Sequence, residues 1–320
     1  MKQYHEINFA RAVLICMVIL VHIVNFGTHY PALKEAILAF MMPSFLVITG
    51  YLVNVRKSAK EFSFYLLRIF VPYLIMVVSF SLVSLYLPVN GGLKEATLSA
   101  LFEKVFLTSI GPYWFLYTMM GCGICYYLSF RFLPVQWHLA IKLLAFAGLL
   151  CVASLFLPVM TIKSVMYYFL GSVLRQFDVD FNKAFRPKFY FFFIFLFIIC
   201  QPEIRGWSHP LIILAVFSFI SSSGWVCGQL PPKVLRFADW LGMNTLPIYL
   251  FHPIFTMAGK FYLRFFAWEE TGWLHVFVTL LLSISGSLAI AYLLDKTHVS
   301  RIFGRAKFFR SAAVNKNGTN

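Results

Sequence analysis

Arg11 and His22 interrupt an otherwise apolar run, NFARAVLICMVILVHIVNF, residues 8–26. Eleven residues make about three helical turns, so the two side chains project from nearly the same face, about 16 Å apart along the axis. Two further residues repeat the pattern. Arg68 lies in FYLLRIFVPY, about six residues into the third apolar run and level with Arg11, and His252 lies in LPIYLFHPIF at about the depth of His22. A guanidinium fork matches phosphate oxygens, and imidazole is the usual general base near neutral pH. Two arginines low and two histidines higher therefore describe an anion site at one mouth below a proton-handling site. The bland alternatives are snorkelling of the arginines to headgroups and hydrogen-bonded structural histidines. Ionisable groups inside a membrane segment are functional by default, which favours chemistry.

The elements that must position these residues are membrane helices. The chain has 320 residues, 60% hydrophobic and only 12% charged, against about a quarter charged in soluble domains. Ten apolar stretches of spanning character are expected at 9–26, 35–54, 63–87, 113–130, 138–157, 161–176, 188–202, 208–226, 241–262 and 273–294. The fold class is thus all-α: a polytopic membrane protein of about ten transmembrane helices, a single domain over 1–320 with a basic tail at 295–320. An interfacial helix is expected within 88–112, where Leu93, Ala96, Leu101, Val105 and Phe106 leave Lys94, Glu95 and Lys104 to water. The first run is too long for a signal-peptide core and should remain as a helix.

Alternate loops and chain ends, counted with the span edges that adjoin them (Lys163, Arg175, Lys188 and Lys260), hold 17 Lys and Arg on one side and 7 on the other, which places both termini in the cytoplasm. Trp114, Trp207, Trp268 and Trp273 then fall near the outer boundary, and Trp137, Trp225 and Trp240 near the inner one, as an aromatic belt. The net charge of +15 is spread between apolar runs rather than clustered, so nucleic acid is not an expected partner. Cys122 and Cys125 have metal-type spacing, but no second Cys or His pair completes a site, so neither metal nor disulfide is expected. None of the twelve carboxylates falls within the middle of a span, which weighs against a proton- or cation-coupled transporter. No P-loop, dinucleotide fingerprint or serine-hydrolase elbow is present.

The ordered motifs resemble the acyltransferase 3 family of integral membrane acyltransferases. Arg11 and His22 match its R-x(10)-H, and SFLVITGYL (44–52) is similar to its second-helix pattern, with Thr49 in place of serine before Gly50. Arg68 with Pro72 resembles its R-x-x-R-…-P segment, except that Tyr65 replaces the first arginine. GPYWFLYTM and IYLFHPIF resemble its fourth-helix and late Y-L-x-H elements. The resemblance implies acyl transfer, usually of acetyl from acetyl-CoA, to a hydroxyl of a glycan or lipid-linked sugar. It implies no permanently bound cofactor, location in the inner (plasma) membrane, and action alone or with a separate extracytoplasmic partner. By this reading Arg11 and Arg68 hold the donor's phosphates, His22 is the base, and His252, Tyr113 and Trp114 orient the acceptor. The competing classes are a carrier or flippase of lipid-linked sugars or small anions, and another membrane acyltransferase type that modifies lipids or proteins.

Overall fold

The computed structural model describes residues 5–87, 89, 91–134 and 136–310. Pro88 and Asn90 of the 88–112 stretch and residues 311–320 of the tail lie outside the described residues. Helix α1 is His5–His22, α2 Val24–His29, α3 Pro31–Leu52, α4 Ala59–Val83 and α5 Leu98–Glu103. There follow α6 Trp114–Arg131, α7 Leu139–Phe156, α8 Ile162–Gln176, α9 Phe181–Ala184 and α10 Tyr190–Ile199. The last four are α11 Pro210–Gln229, α12 Pro232–Met243, α13 Thr245–Tyr262 and α14 Trp273–Lys296. No strand occurs among the described residues. Each of the ten expected spans falls on a helix, and six of these are long and apolar enough to cross a membrane: α1, α3, α4, α7, α11 and α14. Helices α8 and α10 are short, and α6 and α13 carry Gly, Cys, Tyr, Thr and His among their apolar residues.

Solvent exposure supports a lipid environment. Along α7 only Phe146 and Leu150 are buried, while Leu144, Leu155 and Phe156 are more than two-thirds exposed. Such a helix would be unstable in water, but in lipid its backbone is satisfied and its side chains solvated. Helix starts follow ordinary capping rules: Ser58 and Glu61 form a reciprocal capping box on α4, and the Thr97 and Thr161 hydroxyls cap α5 and α8. Within the stretch expected to hold an interfacial helix, the chain forms the short α5 and a following π-turn, Lys104–Thr108; Leu93 and Val105 are buried, but Ala96 and Phe106 of the expected apolar face are exposed.

Two expected spans differ at an end. The first breaks after His22, where Ile23 is extended (φ −75°, ψ 114°) and its N–H bonds the Leu20 carbonyl instead of continuing the ladder. The ninth begins at Thr245, because Asn244 turns its side chain onto the Trp240 and Arg310 carbonyls and accepts the Arg310 N–H. The chain's contacts group into two compact units. The first contains α1, α2, the start of α3, α10–α14 and most of the described tail. There α1 packs on α11, α12 and α13, and α13 on α14. The buried Asp239 of α12 binds His5 and Asn8 of α1, and Gly242 lets the two backbones touch, since a Cβ there would lie 2.1 Å from the Asn8 carbonyl oxygen.

The second unit contains residues 43–184 and 302–305. Helices α6, α7 and α8 pack in sequence order. Gly50 of α3 and Gly171 of α8 face each other's backbones: a Cβ on Gly50 would lie 2.1 Å from the Tyr168 oxygen, and one on Gly171 2.0 Å from the Val47 oxygen. The motif glycine of SFLVITGYL is therefore a close-approach glycine between two membrane helices.

Candidate active site

Arg11 and His22 sit on α1; Thr245 and His252 sit on α13, seven residues apart and so on one face. Arg11 Nη2 donates to the Thr245 hydroxyl at 2.5 Å, and that hydroxyl donates onward to the Gly242 carbonyl at 3.3 Å. Further along both helices the His22 and His252 rings meet edge to face, 5.3 Å between centroids at 65°. Low residue meets low and high meets high, so α1 and α13 run parallel. In this unit Arg11 precedes His22 along α1, and His252 lies at the level of His22; the second expected arginine, Arg68, belongs to the other unit.

Backbone carbonyls set the tautomer of both rings. His22 Nδ1 lies 2.6 Å from the Val18 oxygen, and His252 Nδ1 lies 2.8 Å from Tyr249 O and 3.1 Å from Ile248 O. A carbonyl only accepts, so each Nδ1 carries the proton and each Nε2 keeps its lone pair. At His252 the cause is the next residue. Pro253 has no N–H to give to the carbonyl four residues back, which is Tyr249, and the imidazole supplies the missing donor. His252 is fully buried and its Nε2 makes no hydrogen bond among the described residues, whereas His22 is exposed. One imidazole thus offers an open basic nitrogen at a helix break, and the other offers a buried, unpaired acceptor beside it. Irregular backbone at membrane depth is characteristic of sites that line a cavity.

The remaining expected site residues belong to the second unit. Arg68 is exposed on α4 and its guanidinium makes no hydrogen bond or ion pair to the described residues. Tyr113 is fully buried with Phe80 edge-on at 5.5 Å, and Trp114, half-buried, begins α6. Thr245 was not among the residues expected from sequence. Its signal was its spacing, two helical turns before His252 on the face that meets α1.

These features define an all-helical, multi-pass membrane protein whose candidate site is a histidine pair above an arginine. The family model described as an acyltransferase domain, that of acyltransferase family 3, matches residues 4–292. The chain belongs to this family and is a membrane acyltransferase. No curated protein and no solved structure matches it.

Proposed function

We propose that the protein transfers an acyl group, acetyl from acetyl-CoA, to a hydroxyl of a cell-surface or lipid-linked glycan, in the plasma (inner) membrane with both termini cytoplasmic. The observation that carries the chemistry is the pair of imidazoles whose Nδ1 protons are engaged by backbone carbonyls, leaving Nε2 on each as a base or acceptor. His22 Nε2 takes the proton of the attacking hydroxyl; the new C–O bond forms as the thioester C–S bond breaks. The departing thiolate recovers that proton from the His22 imidazolium, and the ring returns to its neutral form. His252 Nε2 accepts from an acceptor hydroxyl and orients it. Arg11, fixed by Thr245, and Arg68, in the other unit, are assigned to donor phosphates, and Trp114 and Tyr113 to the acceptor.

The test is CoA release by the purified protein, reconstituted with labelled acetyl-CoA and lipid-linked sugar acceptors. Acceptor-dependent release of CoA with label on the sugar supports the enzyme. Sugar movement across the vesicle without any CoA release supports the carrier reading and overturns this one. Comparing O-acetylation of surface glycans before and after deletion of the gene identifies the acceptor.

A further inference from the structure

Helix α12 ends at Met243 and α13 begins at Thr245, so a single residue, Asn244 (φ −101°, ψ 18°), is the joint between them. Helix α1 touches both sides of that joint. Before it, Asp239 and Gly242 of α12 meet His5 and Asn8. After it, Thr245 and His252 of α13 meet Arg11 and His22. The angle at Asn244 therefore decides whether an α1 seated on α12 also brings Arg11 to the Thr245 hydroxyl.

The residues that tie this joint come from the tail. The fully buried Asn244 amide donates to the Trp240 carbonyl at 2.8 Å and the Arg310 carbonyl at 2.9 Å, and it accepts the Arg310 N–H at 2.8 Å. Asp295, in the last turn of α14, accepts the Phe308 N–H with both oxygens, at 2.8 and 3.0 Å, and the Phe309 N–H at 2.8 Å. The helix dipole disfavours a carboxylate at a C-terminus, and charge-assisted bonds to backbone N–H groups offset that cost. The rings add packing: buried Phe308 stands edge-on to Phe251 of α13 at 5.9 Å, and Phe309 lies 6.0 Å from Trp240 of α12 and 6.1 Å from Tyr292 of α14. Phe308, Phe309 and Arg310 thus bind α12, the joint, α13 and α14 together.

We propose that this tail segment, held by Asp295 and Asn244, is a positioning device for the donor site. It fixes the α12–α13 joint, and through Thr245 it holds Arg11 where the donor's phosphates are to be met. Asn244 and Asp295 are positioning residues that act through Thr245. The proposal goes beyond the donor assignment of Arg11 above and rests on it for the ligand.

The experiment titrates labelled acetyl-CoA onto the full chain in nanodiscs, with turnover and melting temperature measured on the same preparation. Asp295 is varied rather than Asn244, because removing the fully buried amide endangers the fold. Asp295→Ala should weaken acetyl-CoA binding at least about fivefold, the net effect of one hydrogen bond. Asp295→Asn, whose single oxygen can still meet both N–H groups, should recover part of the loss. The decisive comparison is made in a Thr245→Val background, which lacks the hydroxyl that anchors Arg11 but keeps the side chain's shape. If Asp295 acts through Thr245, Asp295→Ala adds less than about twofold there. Two results overturn the proposal: an Asp295→Ala protein that melts lower yet binds acetyl-CoA as the parent does, and an Asp295→Ala effect of equal size in both backgrounds. Arg11→Ala is the control. If it leaves acetyl-CoA affinity unchanged, the donor reading of Arg11 falls, and the same cycle read in turnover then decides the positioning, since His252 lies on the helix that the joint aims. Non-additive losses in turnover support it, and additive losses overturn it.

Discussion

Replacing His22 separates the chemistry of the ring from its place in the fold. Asn at this position puts its amide nitrogen near where Nδ1 lies, so it can keep the bond to the Val18 carbonyl, 2.6 Å in the parent, while lacking any group at Nε2. His22→Asn should therefore fold as well as the parent, and His22→Ala should lose about 1 kcal/mol for one local hydrogen bond. The ring's one hydrogen bond is within its own helix, so no larger hydrogen-bonding loss is expected. Loss of a positioned base costs about 10²–10⁴-fold in rate, equal to about 3–5.5 kcal/mol of barrier. Both variants should fall by that factor in acyl transfer, with donor affinity unchanged. The assay is turnover per folded molecule in proteoliposomes, with melting temperature and CoA affinity measured on the same preparation. If His22→Asn turns over within about threefold of the parent, the tautomer argument and the base assignment are both wrong.

His252→Asn should retain a donor for the Tyr249 carbonyl but slow transfer at least about tenfold, while His252→Leu should also reduce folded yield; parent-like turnover in His252→Asn removes its assignment to the acceptor. Gly171→Ala places a methyl group 2.0 Å from the Val47 oxygen, so α3 and α8 must separate, a change expected to cost about 1–3 kcal/mol; an unchanged melting temperature refutes the close approach. The Thr271 hydroxyl and the Leu274 N–H hold the Glu269 carboxyl below the usual glutamate range. Its support for the start of α14 should be complete above about pH 4.3 and be lost as pH falls through the lowered folded value. Hydrogen exchange of the Trp273–Val276 amides reads this, and Glu269→Gln should show no such pH dependence. A reporter fused after Asp295 should read cytoplasmic; an outward reading defeats the ten-span topology.

Much of the architecture was legible because lipid imposes a simple rule, an apolar helix of spanning length: all ten expected spans fall on helices, and six of these are long and apolar enough to cross a membrane. The pairing of Arg11 and His22 followed from helical spacing alone, and the level of His252 from its depth in its own run. The ends of the site helices were not legible. The break at Ile23 has no Pro or Gly to announce it, and the start of α13 depends on Asn244 bonding the tail at Arg310, a contact 66 residues away. The partners of two of the proline-freed carbonyls were half visible. Pro72 and Pro253 name the carbonyls at Arg68 and Tyr249 that must lose a donor, but only the folded chain shows which side chain answers. His252 is adjacent to its proline; Arg305 comes from the far end of the sequence.

Pro253 and His252 have a consequence for how this sequence can drift. Losing the imidazole first leaves a polar group bare in hydrocarbon, whereas losing the proline first gives Tyr249 a backbone donor and makes the ring's anchoring bond redundant. The same two changes are thus harmful in one order and much milder in the other. A lineage that abandons the reaction should shed the proline before the histidine, and one that keeps the reaction should hold both. The dipeptide behaves as a single heritable character, although its two halves touch different neighbours and only one of them faces His22.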